Sequence, residues 1–164
     1  MGDQKRLLLL RHAKSSWDDP TLADHDRPLA PRGREASKLI GAHLHREGIG
    51  ASLILCSSAR RARETLDLIG AAGEVQIEPG LYDASAHELL DCLRRLPDEI
   101  EATMLIGHNP AIQELASTLA GDPSELARKY PTAALATLTF TGPWRALQPG
   151  RAELEAFITP RELR

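Results

Sequence analysis

Aromatic residues and cysteines are scarce in this 164-residue chain, and each scarcity excludes a class of protein. Aromatic residues make up 4% of the sequence, so a folded core must consist mainly of leucine, isoleucine, valine and alanine side chains. The two cysteines, Cys56 and Cys92, have neither a metal-binding nor a redox spacing, which also excludes a disulfide scaffold. We therefore expect a reduced, cytoplasmic setting for the chain.

The sequence also lacks a long apolar run, a signal-peptide pattern and an excess of basic charge. No segment is long and apolar enough to predict a membrane span or a secretory leader. The formal net charge of −3 argues against a general nucleic-acid-binding protein. The sequence contains no metal-ligand cluster, Walker loop or glycine-rich nucleotide motif, so we expect no metal and no cofactor.

The chain does contain an alternation of short apolar runs and amphipathic segments. The runs at 7–10, 53–56 and 103–106 are typical of strands buried on both faces. The segments 32–46 and 58–69 instead carry apolar residues at helical spacing. Such alternation indicates βαβ units and hence a mainly parallel sheet.

The C-terminal part of the chain has a different pattern. Segments 134–140 and 154–158 resemble two successive strands with a loop containing glycine and proline between them, which predicts an antiparallel hairpin at the sheet edge. We therefore predict one α/β domain over residues 1–164. It should be a three-layer sandwich with a mostly parallel central sheet and helices on both faces.

Two histidines follow two of the predicted strands. Arg11 and His12 come directly after the run 7–10, and His108 follows a second run and precedes Asn109 and Pro110. Ligands of parallel α/β sheets bind beyond the carboxyl ends of the strands, so these imidazoles can meet at one site. Either histidine could instead be a turn residue satisfied by a backbone carbonyl.

A cluster of arginines follows a third predicted strand. Arg60, Arg61 and Arg63 lie in the first turn of a predicted helix, where the helix dipole disfavours positive charge. A solvated basic helix start is the simple explanation, but three arginines in this place favour a bound anion. Imidazole and guanidinium groups together indicate phosphoryl chemistry. A cysteine phosphatase is excluded because the Cys-x5-Arg spacing fails: Ala62 is the sixth residue after Cys56.

In combination, these segments resemble the histidine phosphatases, also called the phosphoglycerate mutase-like superfamily. The family's Arg-His-Gly motif is matched by Arg-His-Ala at 11–13, and its Ser-Pro-Leu-x-Arg-Ala-x-x-Thr signature is matched at 57–65. Gly-His-Asn-Pro at 107–110 matches the later histidine box, and 27–34 resembles a further family segment. The short chain and the Leu-Tyr-Asp-Ala segment at 81–84 are most similar to the bacterial phosphohistidine phosphatase branch.

The resemblance implies a role for each matched residue. His12 would attack phosphorus and carry the phosphoryl group as an enzyme intermediate. The phosphoryl oxygens would be bound by residues of the three motifs, namely Arg11, Ser57, Arg61, His108 and Asn109. Phosphoryl transfer is mostly positioning and charge stabilisation, which suits such a set of side chains.

The sequence departs from the family pattern at two positions. Ala13 replaces the motif glycine, which disfavours a positive φ at that residue. Asp83 stands where many members carry a glutamate that acts as general acid, and it is either that acid or a loop carboxylate. A phosphohistidine substrate relaxes the need for an acid, because its imidazole leaving group can be protonated before cleavage. The roles of Lys14 and of the 15–31 loop stay open.

We therefore expect a metal-independent phosphatase that works through a phosphorylated His12. Its expected substrate is phosphohistidine in a signalling protein, such as a histidine-containing phosphocarrier domain. Two alternatives remain open from the sequence: an ester phosphatase or mutase of the same fold, and a non-catalytic module that binds phosphate. Retention of both His12 and His108 argues against the non-catalytic module.

Overall fold

The computed structural model describes residues 4–164, which form six strands and six α-helices that alternate as far as β4. The strands are β1 (Gln4–Arg11), β2 (Leu53–Ser57), β3 (Glu74–Glu78), β4 (Ala102–Gly107), β5 (Leu135–Thr141) and β6 (Glu153–Ile158). The helices are α1 (Pro31–Arg46), α2 (Arg60–Ile69), α3 (Ala86–Arg94), α4 (Ala111–Leu119), α5 (Ser124–Arg128) and α6 (Pro160–Leu163).

All six strands belong to one sheet with the order β3-β2-β4-β1-β5-β6. The pairs β3–β2, β2–β4 and β4–β1 are parallel, whereas β5 is antiparallel to both β1 and β6. The predicted mostly parallel sheet and its antiparallel C-terminal edge are therefore confirmed. The order places β1 directly beside β4, the two strands that the histidines follow.

The helices cover both faces of the sheet, as the alternation of side chains along β1 shows. Leu7 and Leu9 belong to one buried cluster, which α3, α4 and α5 complete. Leu8 and Leu10 belong to the other cluster, which includes residues of α1 and α2. Because all four leucines are fully buried, β1 is covered on both faces, and the three-layer architecture is confirmed.

The long polar segment after β1 folds back along the carboxyl edge of the sheet. An antiparallel bridge joins Ser15 to Leu29, and a 3₁₀ turn occupies Asp24–Asp26. The start of α1 packs very closely beneath this segment: a Cβ atom on Gly33 would lie 2.1 Å from the carbonyl oxygen of Lys14. Glycine is therefore required at position 33 for α1 to approach the backbone next to His12.

The sequence also predicts two helix starts: a capping box formed by Ser85 and Glu88, and an N-cap at Asn109 with Pro110 in the first helical position. The capping box at Ser85 is confirmed, because the Ser85 hydroxyl accepts from the N–H of Glu88 and the Glu88 carboxylate accepts from the N–H of Ser85. Asn109 was expected to be the N-cap of the next helix, with Pro110 as its first residue. The structure instead has Pro110 in the cap position, and the Asn109 Oδ1 atom accepts from the N–H of Gln113 at 3.2 Å.

None of the helices within residues 4–164 combines the length and the apolar character needed to cross a lipid bilayer.

Candidate active site

His12 and His108 meet at the carboxyl ends of β1 and β4. These strands are in register so that Arg11 pairs with Gly107, and the N–H of His12 donates to the carbonyl of Gly107 at 3.0 Å. The two imidazole ring centroids are 5.0 Å apart. The juxtaposition that the sequence predicted therefore follows from one parallel strand pairing.

The surroundings of His12 fix which of its nitrogens carries the proton. Its Nδ1 atom lies 2.7 Å from the carbonyl oxygen of Ala13, which can only accept, so Nδ1 is the protonated nitrogen. The Nε2 atom consequently keeps a free lone pair. The side chain is 8% exposed, and burial is the main cause that lowers the pKa of His12 to about 3. His12 is thus a neutral imidazole at physiological pH with a nucleophilic Nε2.

His108 is held by the hydroxyl of Ser57. The Ser57 Oγ atom lies 2.7 Å from Nε2 of His108 and also accepts from the N–H of Ala59 at 3.2 Å. Burial, followed by the positive charge of Arg61, lowers the pKa of His108 to about 4. Ser57 is itself fully buried and fully engaged, so in this structure it orients His108, and its contact with phosphate stays a prediction.

Arg61 is the arginine of the cluster that reaches the histidines. It is 7% exposed, and its Nε–H donates to Nε2 of His12 at 3.4 Å. Its neighbour Arg60 is an exposed residue whose Nε pairs with Glu64 at 3.0 Å along the helix. Of these two arginines, therefore, Arg61 is the one that contacts His12.

The threonine of the same motif anchors the loop that carries His12. Thr65 is fully buried; its hydroxyl donates to the carbonyl of Arg61 at 2.7 Å and accepts from the N–H of Ala13 at 3.0 Å. Ala13 is also fully buried, and its φ is not positive, as expected for a residue other than glycine. Thr65 therefore links the helix that carries Arg61 to the backbone directly after His12.

Arg11 and Asn109 share one backbone acceptor. Nη1 of Arg11 donates to the carbonyl oxygen of Tyr130 at 2.9 Å, and Nδ2 of Asn109 donates to the same oxygen at 3.2 Å. The charge of Arg11 contributes to the lowered pKa values of both His12 and His108. The charge of Arg11 therefore acts on both histidines of the site. The amide of Asn109 binds the backbone carbonyl that also holds Arg11.

The structure adds a carboxylate that the sequence reading missed. Asp24 binds Arg61 twice, through its backbone carbonyl to Nη1 at 2.8 Å and through Oδ2 to Nη2 at 3.0 Å. Oδ2 also accepts from the hydroxyl of Tyr82 at 2.5 Å, and Oδ1 accepts from Arg27 at 2.8 Å. The Tyr82 hydrogen bond and those from the arginines hold the pKa of Asp24 at about 2, so this carboxylate is ionised at neutral pH.

Tyr82 and His25 complete the rim of the site. The Tyr82 ring lies edge-on to His108 with centroids 5.5 Å apart, and His25 packs edge-on against Tyr82 at 4.8 Å. Nε2 of His25 is 2.9 Å from the hydroxyl of Ser58. The Asp-rich, Pro-rich composition of the loop was the signal that it could contribute a site residue, but composition could not single out Asp24 among its aspartates.

Asp83 lies apart from these contacts. Its side chain is exposed, and it forms no hydrogen bond or ion pair with any residue from 4 to 164. Its role as a general acid, expected from the resemblance, stays a prediction. Burial raises the pKa of the Cys56 thiol to about 12, which keeps this cysteine protonated and weakly nucleophilic at neutral pH. The described part of the chain contains no group of three or more metal-ligating side chains.

The lowered histidine pKa values predict an unusual titration. Free imidazole has a pKa of about 6.5, so an ordinary histidine is mostly charged at pH 5. We expect His12 and His108 to stay neutral there, because their pKa values are about 3 and about 4. An NMR pH titration of ring resonances should show no charging of either ring between pH 8 and 5. Added orthovanadate should raise the pKa of His108, because a nearby anion favours the charged imidazole. Titration of both rings near pH 6.5 in the free protein would contradict the described burial.

Comparisons with known proteins agree with this geometry. The sequence model of the histidine phosphatase superfamily (branch 1) matches residues 7–90. An uncharacterised protein of Mycobacterium tuberculosis is 35% identical over 159 residues, which cover 93% of this chain and all of that protein.

Solved structures extend the match to almost the whole chain. A Nakamurella multipartitia protein assigned as the phosphohistidine phosphatase SixA superposes with a TM-score of 0.87 and 30% identity, covering 96% of each chain. The corresponding Agrobacterium tumefaciens protein gives a TM-score of 0.84 and 27% identity, covering 95% of this chain and 98% of that one. The protein is therefore a member of the histidine phosphatase superfamily, branch 1, in its short SixA-like branch.

Proposed function

We propose that this protein hydrolyses phosphohistidine in a protein substrate by way of a phosphorylated His12. The observation that carries the proposal is the state of His12, a buried neutral imidazole with its proton fixed on Nδ1 and with Nε2 beside Arg61. A nucleophile of this kind needs no base to remove a proton before it attacks phosphorus.

In the first step, the Nε2 lone pair forms a bond to phosphorus as the P–N bond to the substrate imidazole breaks. The substrate histidine leaves as a neutral molecule if its ring is protonated beforehand. In the second step, water attacks phosphorus, the bond to Nε2 breaks, and inorganic phosphate is released. Arg61, Arg11 and His108 stabilise the phosphoryl oxygens in both steps, since positioned charge accounts for most of the catalysis of such transfers.

The protonation states of the carboxylates favour a nitrogen leaving group over an alkoxide. Asp24 is ionised, with a pKa of about 2, so it has no proton to give to a departing oxygen. Asp83 is exposed and is not hydrogen-bonded to any described site residue. An alkoxide needs a proton from a positioned acid, whereas a protonated imidazole does not. The site is therefore better matched to phosphohistidine than to an alkyl phosphate.

The shape of the chain around the site favours a large substrate. Between Asp83 and β4 the chain has only α3 and short connections, at the place where mutases of this family carry a longer insertion. A short connection leaves little chain to enclose a small metabolite. An accessible site of this kind suits a phosphorylated histidine presented on the surface of another protein.

A substrate panel tests this function. We expect the purified protein, assayed with EDTA present, to hydrolyse a phosphohistidine-carrying phosphocarrier protein with a much higher kcat/KM than it hydrolyses phosphoserine or a sugar phosphate. A strong preference for a small ester would replace this proposal with the ester phosphatase alternative. Loss of activity in EDTA that a divalent ion restores would contradict the metal-independent chemistry.

Asp24 and Asp83 offer a matched pair of substitutions. We expect Asp24→Ala to lower kcat on phosphohistidine by about 10- to 100-fold, because it removes the side-chain contact of the two that orient the guanidinium of Arg61 and small misplacements are costly. Asp24→Asn should restore part of the loss, since its amide oxygen can still accept from Arg61. Asp83→Asn should change this rate by less than about threefold.

The Asp83→Asn variant also tests whether Asp83 donates a proton to the leaving group. If Asp83 acts as a general acid, Asp83→Asn should slow an alkyl phosphate by roughly 10²–10⁴ while leaving phosphohistidine hydrolysis nearly unchanged. The measurement is kcat/KM for both substrate types in each variant. Equal losses on both substrates in Asp83→Asn, combined with a wild-type preference for the ester, would exclude the phosphohistidine assignment.

A further inference from the structure

An open basic groove lies against the backbone segment that follows His12, since Lys14 is part of its lining. Its volume is about 480 Å³, and its walls come from the start of α1, from α5 and the segment after it, and from α6. Six positively charged side chains line it: Lys14, Arg32, Arg128, Lys129, Arg161 and Arg164. Glu125 is the single acidic residue of the lining.

These cations are largely free of partners. Arg164 pairs with Glu35 at 2.9 Å. Lys14, Arg32, Arg128, Lys129 and Arg161 form no ion pair and no side-chain hydrogen bond with residues 4–164, and all are exposed. By contrast, the arginines of the neighbouring site, such as Arg27 and Arg61, are paired with Asp24. Unpaired cations this close together repel each other, so an anionic partner in the groove would stabilise the arrangement.

The groove is lined by backbone segments that also contact Arg11 and His12. Lys14 is two residues from His12, and the segment that carries Arg128 and Lys129 continues into Tyr130, whose carbonyl binds Arg11. Further along that segment, the N–H of Ala133 donates to the carbonyl oxygens of Arg11 and His12. A molecule seated in the groove therefore contacts segments that also hold the nucleophile.

We propose that this basic groove binds an acidic surface of the phosphorylated protein substrate and so steers the phosphohistidine towards His12. The inference rests on the proposed function and deepens it by assigning a docking surface. Two partly buried apolar side chains in the lining, Phe157 and Pro131, offer a docked protein a packing surface that a free phosphate ion would not use. Because six cations lie in the groove, the rest of the chain is more negative than the net charge of −3. This negative charge repels nucleic acids and anionic membranes, which disfavours both as occupants.

Charge steering of this kind acts on encounter and not on the chemical step. Rim charges mainly raise the association rate and its salt dependence, and they fix which partners can approach. The groove should therefore contribute to kcat/KM for an acidic substrate and leave kcat nearly unchanged. Its contribution should also fall as ionic strength rises, because exposed charges are screened over about 10 Å at 0.1 M salt.

Two phosphohistidine peptides of equal length test the proposal, one with a run of glutamates beside the phosphohistidine and one with glutamines in their place. The groove variant carries Arg128→Gln, Lys129→Gln and Arg161→Gln, and the matched control carries Lys38→Gln, Arg46→Gln and Arg95→Gln. The control removes the same charge from exposed residues that do not line the groove. Thermal melting of both variants checks that they fold, and Arg161→Glu alone serves as a second, milder groove variant.

We expect wild type to prefer the glutamate peptide by on the order of 10-fold or more in kcat/KM at low salt. The groove variant should lose that preference, while its kcat and its kcat/KM for the glutamine peptide stay at the wild-type values. The control variant should keep the preference. Equal kcat/KM for the two peptides in wild type would overturn the groove assignment while leaving the proposed function intact. A preference that survives in the groove variant, or that the control also loses, would overturn it as well.

Absence of any phosphohistidine hydrolysis by wild type would instead overturn the proposed function. Binding of the fluorescently labelled, unphosphorylated glutamate peptide then still decides the groove: loss of affinity in the groove variant but not in the control supports it. No measurable affinity in wild type would contradict it. Tighter binding of a single-stranded oligonucleotide of equal charge than of the peptide would reject a protein occupant.

Discussion

Replacing His12 with alanine should abolish turnover and covalent labelling together. The reason is that Nε2 of His12 is the deprotonated nitrogen that faces Arg61 in a buried, neutral ring. Loss of the nucleophile in another covalent hydrolase costs about 10⁶-fold in kcat, and we expect an effect on that order here. The measurement is rapid acid-free quenching of labelled substrate, followed by detection of an acid-labile, base-stable phosphate on the protein.

The neighbouring imidazole makes a control necessary, because the ring of His108 lies only 5.0 Å from that of His12. His108→Ala should slow turnover but leave the label on His12, which mass spectrometry of the labelled peptide can locate. His87→Ala, at an exposed residue outside the site, should change neither property. Near-normal activity of His12→Ala, or a label found on His108, would contradict the mechanism.

Replacing Arg61 with alanine should cost on the order of 10³–10⁵ in kcat, the range in which arginine fingers act on phosphoryl transfer. Arg61 is buried, contacts Nε2 of His12 and is aligned by Asp24, so its charge is positioned for the transferring group. Arg60→Ala is the matched control: it removes the same side chain one residue earlier and should change kcat by less than about threefold. Arg60 is exposed, and its one side-chain partner among residues 4–164 is Glu64.

The two variants are compared by single-turnover rates on phosphohistidine, together with thermal melting. Equal effects at Arg60 and Arg61 would show that the second motif is read in the wrong register. A stable Arg61→Ala protein with an unchanged rate would remove the arginine from the catalytic site altogether.

Local patterns determined most of the architecture. The apolar runs at 7–10, 53–56 and 103–106 predicted β1, β2 and β4, because a strand buried on both faces has no room for polar residues. The capping box at Ser85 was likewise readable, since it depends on residues only three positions apart. The start of α4 was placed one residue too early, because both Asn109 and Pro110 are suited to helix starts.

The site was readable where its residues follow strand ends and less so elsewhere. His12 and His108 were paired from the sequence because parallel strands present their carboxyl ends at one edge of a sheet. In the sequence, Arg61 was distinguished from Arg60 only by its place in the family motif. The structure gives the physical difference: Arg61 is buried, whereas Arg60 is exposed and pairs with Glu64. Asp83 was a candidate general acid because of its place in the 81–84 segment. Its side chain is exposed in the structure, and the role stays a prediction.

The succession of strands and helices, the strand-end imidazoles and the arginine cluster could be predicted, because each of these is encoded by residues close together in the chain. Three features became visible in the folded chain alone: Asp24 aligns Arg61, Ser57 holds His108, and cations from distant segments line one groove. The two contacts join residues 37 and 51 positions apart, and the groove is lined from separate parts of the chain, so these features depend on how the loops pack against the sheet and not on any local pattern.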